Sequence, residues 1–288
     1  MTPAQQILVG VAGTLTWQPQ GADGEPADPG ATVTVTVTNS AGTAIATNAA
    51  TSGSGSNPRT YALAARTELD LLTATWQVGG VYSAETVVEI VGGYWFTLAE
   101  AREQDDKLTD AVKYPSARVL AVRRDVEAEF ESVTGQAWVP RFADETVFGT
   151  RSTMLVVPHV ELRSIRSITE IDADGTETPF TATELAEVVA ESWGALRRYV
   201  GWPAYRYRVR YEHGHDAPPA DLKAAAITRL RHRMNMHRSG IPDRATSMST
   251  EQGQTFSLAT PGLRGFVTGI PDVDVVLERH RFVRIGVA

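Results

Sequence analysis

The chain of 288 residues is long enough for one large or two ordinary domains, and its hydrophobic content of 42% is typical of a soluble globular protein. The absence of cysteine excludes disulfides, thiolate metal sites and cysteine nucleophiles, and the net charge of -7 argues against a general nucleic-acid binder. No segment approaches the roughly eighteen consecutive apolar residues of a membrane span, and the N-terminus lacks the basic region of a signal peptide. We therefore expect synthesis in the cytoplasm and no membrane partner.

Residues 1–93 have the pattern of a small all-β domain. TVTVTVT at 32–38 alternates in polarity, and further β-rich segments are LVGVAGTLTW, RTYALAA and the run at 81–91. Clusters of glycine, proline, asparagine and aspartate separate them, and no helical period appears. This pattern predicts an immunoglobulin-like β-sandwich over 1–93. GSGSNP at 53–58 has neither a lysine nor a following helix, so we interpret it as a loop and not as a phosphate-binding site.

Two helices are predicted directly after this domain. Thr97 followed by Glu100 has the capping-box pattern that begins a short helix. A second helix is predicted over 115–134, because apolar residues recur within it at helical spacing and Gly135 follows it.

Beyond residue 139 the pattern is that of strands, with one further helix. The predicted strands are 140–149, 153–157, 162–172, 193–200 and 205–213, with a hairpin turn at Asp174-Gly175. Tyrosine and valine alternate with arginine over 205–211, which is typical of a half-buried strand. Two prolines then open an amphipathic helix predicted over 219–238. Residues 245–288 are expected to form an extended loop and a C-terminal docking tail.

Two polar segments resemble metal sites in part, but ordinary turns explain both of them better. His213 and His215, followed by Asp216, have a spacing that suits two metal ligands, but no third ligand lies at a telling distance. The acidic run at 172–177 resembles part of a calcium loop, but its glycine comes too early. No hydrolase, metalloprotease, Walker or dinucleotide motif is present. We therefore predict that the protein is not an enzyme and binds no metal or cofactor.

Charged side chains supply the candidate contact surfaces. The helix at 219–238 has an excess of positive charge that fans around its axis without interleaved aromatics, which favours a solvated face or an acidic partner over direct nucleic-acid contact. The arginines at 206–210 lie on one strand face and repel one another, so we expect carboxylate partners from a neighbouring strand or subunit. The predicted subunit-contact residues are Arg123, Arg124, Glu127, Glu131, Arg206, Arg208, Arg210, Arg229 and Arg233.

Several segments follow one another between about residues 96 and 240. They are FTLAEAREQDD, the helix ARVLAVRRDVEAEFESVTGQAW, the β-hairpins and the strand-turn-helix YRVRYEHGHDAPPADLKAAAITRL. The most specific element is a strand with tyrosine and glycine, followed by Pro-x-Asp-Leu-Lys-x-Ala-Ala. In this order the segments resemble the head-to-tail connector (adaptor) proteins of tailed bacteriophages. The resemblance covers about half of the chain.

The resemblance implies an α+β chain of two domains, in which a helical connector core with β-hairpins over 94–244 follows the β-sandwich. It implies a virion structural protein without enzymatic activity, repeated usually twelvefold into a ring in the phage neck. The implied partners are the portal protein above, a stopper or tail terminator as the next neck protein, and double-stranded DNA that crosses the lumen without sequence recognition.

The β-rich domain at 1–93 and the tail at 245–288 depart from the short pattern of this family. Members of this family have a C-terminal extension that reaches the portal, so the resemblance implies that the tail of this protein docks on the portal. The predicted docking residues are Val273, Val275, Val276, Leu277, Arg279, Arg281, Phe282, Val283 and Ile285.

A different function stays open for the N-terminal domain, namely a β-sandwich adhesin or carbohydrate-binding module carried on a structural base. Its aromatic platforms would be Trp17, Trp76, Tyr82, Tyr94 and Trp95. Packing in a hydrophobic core is the competing explanation for the same residues.

Overall fold

The computed structural model describes residues 5–80, 82–104, 106–236, 247–249, 255–257 and 267–283. The fold is α+β, as predicted, and most of its elements are strands. The helices in these residues are α1 (Leu98–Gln104), α2 (Ser116–Thr134), α3 (Ala182–Ala186), α4 (Ala220–Met236) and α5 (Pro271–Arg279), and Asp106–Thr109 forms a 3-10 helix. No helix in these ranges combines the length and apolar character needed to cross a membrane.

The N-terminal segment forms two sheets around a common core. Its strands are β1 (Gln5–Leu8), β2 (Gly13–Trp17), β3 (Val33–Thr38), β4 (Ala44–Ala50), β5 (Arg59–Leu63), β6 (Asp70–Val78) and β7 (Tyr82–Val91). One sheet has the order β1-β7-β6-β3-β4, and β2 pairs with β5 in the other. Leu15 and Leu63 of the small sheet pack with Trp76 and Ile90 of the large one. The β-rich pattern is therefore confirmed, while the immunoglobulin-like assignment stays a prediction.

A second group of strands follows α2. It consists of β8 (Arg141–Phe148), β9 (Met154–Val156), β10 (Leu162–Ile171), β11 (Glu177–Pro179), β12 (Val189–Glu191), β13 (Ala195–Arg197) and β14 (Arg206–His213). These strands form two sheets, with the orders β11-β10-β14-β8 and β12-β13-β9. The hairpin turn at Asp174-Gly175 is confirmed, because β10 pairs with β11 and Gly175 has a φ of 88. The predicted strand 193–200 is wrong in length, since a hairpin turn and a loop leave only Ala195–Arg197 paired.

The helices confirm the predicted local signals. Glu100 N donates to Thr97 Oγ1 at 3.1 Å, and Thr97 N donates to Glu100 Oε2 at 2.6 Å, so the capping box precedes α1. Gly135 ends α2 in the left-handed conformation with a φ of 72. Helix α4 follows Pro219 and buries Leu222 and Leu230 on its apolar face.

The C-terminal part differs from the predicted extended tail. Pro271–Arg279 is the helix α5, with a proline in its first turn, acidic residues near its start and Arg279 near its end. The extended prediction is wrong there because Val273 and Leu277 lie one helical turn apart and both are buried. Ser247–Ser249 and Thr255–Ser257 form a short antiparallel pair, β15 and β16.

Contacts within the chain divide it into two compact units. The first combines the residues up to Gly93 with Val139–Asp216, and the second combines Tyr94–Trp138 with the residues from Ala217 onward. The second unit contains α1, α2, α4 and α5 and is assembled from two separate stretches of sequence. The three predicted domains, 1–93, 94–244 and 245–288, stay a prediction.

Candidate interaction surfaces

Helices α2 and α4 are joined by an ion pair in the second unit. Arg229 donates through Nε and Nη2 to the two carboxylate oxygens of Glu129, at 2.9 and 2.8 Å, and through Nη1 to Thr268 O at 2.9 Å. Arg233 lies 3.3 Å from the same carboxylate. Because Arg229 is only 8% exposed, its guanidinium acts inside the subunit. A role of Arg229 in subunit contacts stays a prediction, and its observed contacts are all within one subunit.

Three of the predicted contact residues on α2 hold the segment that enters the helical unit. Arg123 donates to Phe96 O at 3.2 Å. Glu127 accepts from Trp95 N at 3.2 Å, and Glu131 accepts from the Trp95 indole at 3.3 Å. Arg123 and Glu127 are buried, so these side chains are structural within one subunit. The fourth predicted residue on this helix, Arg124, is half-buried.

Two of the three arginines of β14 share a carboxylate partner on the adjacent strand β8. Arg208 makes two hydrogen bonds to Asp144, at 2.8 and 2.7 Å, and Arg210 makes a third at 3.0 Å. Arg210 also donates to Ser40 O at 2.9 Å. The expectation of a carboxylate on a neighbouring strand is therefore confirmed. Arg206, opposite Phe148, is exposed.

Asp144 is the acid on which this arrangement depends. Burial opposes its ionisation, but the hydrogen bonds from Arg208 and Arg210 outweigh that effect and lower its pKa. Asp144 and Glu129 were both missed at the sequence level. The only signal for Asp144 is the register between β8 and β14, which the sequence does not specify.

The C-terminal residues predicted to dock on the portal fall into two groups. Val273 and Leu277 are buried, whereas Val275 and Val283 are 60% and 70% exposed. Val276 and Phe282 are half-buried, and Arg279 and Arg281 are exposed. Ile285 lies outside the described residues. Portal docking stays a prediction, and only the exposed group is accessible in this conformation.

Helix α5 is attached to the start of α4 and the end of α2. Arg279 Nη1 lies 3.1 Å from a carboxylate oxygen of Asp221, and His280 Nε2 lies 3.0 Å from the same oxygen. The His280 hydrogen bond, followed by other contacts, lowers the pKa of Asp221. Phe282 N donates to Thr134 O at 2.7 Å, which fixes the chain after the helix.

A stacked histidine pair, of which His213 is buried and His159 half-buried, lies at the end of β14 in the first unit. The rings of His159 and His213 stack with centroids 4.0 Å apart, and His159 Nδ1 lies 2.8 Å from the Tyr211 hydroxyl. Burial, followed by the charges of His159 and Arg141, lowers the pKa of His213 to about 2. The ring is therefore neutral near pH 7.

The polar turn after β14 gives no metal site in the part of the chain that the structure describes. Arg163 forms an ion pair with Asp216 at 2.7 Å, beside His215. Within the described ranges, no three histidine or acidic side chains are placed to hold a metal ion together. Glu161, next to this turn, has a φ of 54 and donates its backbone N–H to Ser192 O.

Four exposed apolar side chains lie on the sheet β12-β13-β9 and in the loop after β13. Val156 is 49% exposed, Val189 46%, Val200 66% and Tyr199 97%. Arg197 and Glu191 form an ion pair on the same sheet at 3.0 Å. We call Val156, Val189, Tyr199 and Val200 the apolar surface. The sequence gives no sign that these four residues are exposed, because buried valines and tyrosines occur in similar patterns elsewhere in the chain.

The proposed aromatic platforms divide between core and surface. Trp76 and Trp95 are at most 1% exposed, so core packing explains them and the platform interpretation is wrong for both. The Tyr94 ring is covered by the Arg123 guanidinium at 3.9 Å. The side chain of Tyr82 lies outside the described part of the chain. Trp17 is half-buried and borders a cavity.

Comparisons with known proteins add two distant structural similarities. No protein-family model matches the sequence, and no curated protein sequence matches it. A chain described as the neck of an empty GTA particle computed with C6 symmetry aligns over 67% of this chain and 93% of its own, with a TM-score of 0.46 and 18% identity. SGBP-B of the Bacteroides ovatus mixed-linkage glucan utilization locus, in complex with a mixed-linkage heptasaccharide, aligns over 72% and 50%, with a TM-score of 0.20 and 12% identity.

Proposed function

We propose that this protein is a virion structural protein that forms a ring in the neck of a tailed phage. In this proposal the ring joins the portal to the next neck protein, a stopper or tail terminator, and lets double-stranded DNA pass through its lumen. The protein is made in the host cytoplasm and acts without enzymatic activity or cofactor. The starting point is the resemblance of residues 96–240 to head-to-tail connector proteins.

The observation that carries the proposal is the contact between α2 and α4. These helices flank the β-hairpin segment in the sequence, and the Arg229–Glu129 ion pair brings them together in one helical unit. A helical core with β-hairpins is the arrangement that the resemblance implies. The contact supports the connector assignment because the two helices of the matched segments, which the strands separate in the sequence, lie in the same unit.

Ring formation also requires two different faces on each subunit. Rotational symmetry with more than two subunits uses heterologous contacts, in which one face meets a different face of the next copy. The apolar surface is a candidate for one such face, because exposed apolar patches mark contact sites in soluble proteins. Arg206 and Arg124 remain candidates for charged contacts, and the resemblance suggests twelve subunits.

Electron microscopy of the purified protein, alone and mixed with the portal protein of the same phage, tests this function. We expect rotationally symmetric rings that stack on the portal with an open lumen. Multi-angle light scattering of the same sample gives the number of subunits. A protein that stays monomeric and does not bind the portal at micromolar concentration overturns the proposal.

A further inference from the structure

The N-terminal β-fold contains a cavity of about 320 Å3 beside the end of β2. Its apolar wall includes Trp17, Pro19 and Pro29, and its polar wall includes Gln18, Gln20 and Asp28. The volume is at the lower end of the range of small-molecule sites, roughly 300 to 1,000 Å3. A cavity of this size accommodates a small ligand or the end of a longer one.

The Trp17 ring has a fixed orientation in this cavity. It stacks on Trp76 with the ring centroids 6.0 Å apart and the ring planes 24° apart, and it packs against the core of the two sheets. Trp17 also belongs to β2, where it pairs with Arg59 of β5. Because the ring is only half-buried, the rest of its surface is available to a ligand.

The loop that completes the cavity is held by hydrogen bonds. Gly21 N donates to Glu25 O at 2.9 Å, and Ala27 N donates to Pro19 O at 3.1 Å. The Gln18 amide donates to Ser56 O at 3.0 Å, which ties the start of the loop to the segment before β5. A ligand therefore meets a preformed wall, which reduces the entropy cost of binding.

The charges around the cavity disfavour an anionic ligand. Asp28 is exposed and provides a carboxylate acceptor. The nearby Arg59 is 3.6 Å from Asp28, but its guanidinium is buried and donates to Asn57 O and Gly55 O, both at 2.9 Å. The cavity therefore offers an aromatic surface, amides and one carboxylate, without an exposed arginine or lysine among its lining residues.

We propose that this cavity binds a neutral oligosaccharide. The apolar face of a sugar ring packs on Trp17, and its hydroxyl groups donate to the carboxylate of Asp28 and exchange hydrogen bonds with the amide of Gln20. A proline-rich peptide is the main competing ligand, but grooves for such peptides are lined by aromatic residues, whereas Trp17 is the single aromatic among the lining residues. The inference does not depend on ring formation.

An array of neutral glycans, followed by calorimetry with the glycans that bind, tests the proposal on the full chain. Cellohexaose and maltohexaose are included as soluble probes in every titration. We expect Trp17→Ala to weaken binding by about tenfold or more, which is about 1.4 kcal/mol of binding free energy, because the aromatic surface that contacts the sugar ring is lost. Asp28→Ala and Gln20→Ala, at exposed positions outside the core, are expected to weaken it severalfold without unfolding the domain.

Trp193→Ala is the matched control, because Trp193 is a surface tryptophan that is 36% exposed and does not line this cavity. It should leave the affinity unchanged. The proposal is overturned if no neutral glycan binds, if the three cavity variants bind as the wild type does, or if a proline-rich peptide binds in the cavity instead. Rings without glycan binding contradict this inference alone, and glycan binding by a persistent monomer contradicts the ring alone.

Discussion

Arg229 of α4 and Glu129 of α2 form a two-point ion pair, with nitrogen–oxygen distances of 2.9 and 2.8 Å, and Arg229 is 8% exposed. The pair joins two helices that the β-strand segment separates in the sequence. Removing one partner of a buried ion pair leaves the other charge buried and poorly compensated, which destabilises the fold more than the intact pair stabilises it. Substitutions at Arg229 are therefore expected to lower the stability of the subunit itself.

Replacing Arg229 by alanine should lower the free energy of unfolding by about 3 kcal/mol, because Thr268 O loses its donor and Glu129 keeps only its ion pair with Arg233. Urea denaturation followed by circular dichroism measures the change. Arg118→Ala, on the exposed side of α2, is the control and should change stability by less than about 0.5 kcal/mol. Equal losses in the two variants would contradict the buried ion pair.

Stability should fall in acid because of His213. Its pKa is about 2 in the folded protein and 6.5 in the unfolded chain. Below pH 6.5 the unfolded state therefore binds a proton that the folded state does not. The contribution of His213 to stability is complete above pH 6.5 and decreases by up to about 1.4 kcal/mol per pH unit as the pH falls toward 2.

The variant His213→Phe removes this titration while it keeps an aromatic ring beside His159. Free energies of unfolding measured between pH 6 and pH 4 should depend less steeply on pH in this variant than in the wild type. Parallel curves for the two proteins would show that His213 is not held neutral by burial.

Asp144 and Arg208 should be energetically coupled. A double-mutant cycle with Asp144→Ala and Arg208→Ala should give a coupling energy of about 1 kcal/mol, because the two-point pair is partly exposed. Glu145 follows Asp144 on β8 and points to the opposite face of the sheet. A cycle between Glu145→Ala and Arg208→Ala is the control and should be additive.

The apolar surface should contribute to assembly if the protein forms rings. Val156→Asp combined with Tyr199→Asp is expected to reduce the oligomer mass in light scattering while the circular dichroism spectrum stays unchanged, since both side chains are exposed. Thr178→Asp on β11 adds the same type of charge at another exposed position and serves as the control. Intact rings in the double variant would remove this surface from the list of subunit contacts.

Local patterns predicted the elements that depend on neighbouring residues. The alternation of β3 and β14, the capping box at Thr97 and the glycine at the end of α2 all appear in the structure. Each of these signals arises from the period of a helix or strand or from one turn of backbone, so a short window of sequence contains it.

Pairing between distant segments decided the rest. The strand register places Asp144 beside Arg208 and Arg210, and the packing of α4 on α2 buries Arg229 against Glu129. A charged residue has the same sequence signal whether it is solvated, buried in an ion pair or part of an interface, because the outcome depends on atoms that lie many residues away.

The same reason explains the tryptophans and the C-terminal helix. Residue patterns alone were enough to predict the α+β class, the β-rich first part and the two helices that flank the strands. The packing of distant segments was needed to show that Trp76 is core, that Trp17 borders a cavity, and that α5 buries Val273 and Leu277. Burial is a property of the completed packing, whereas periodicity is a property of the chain.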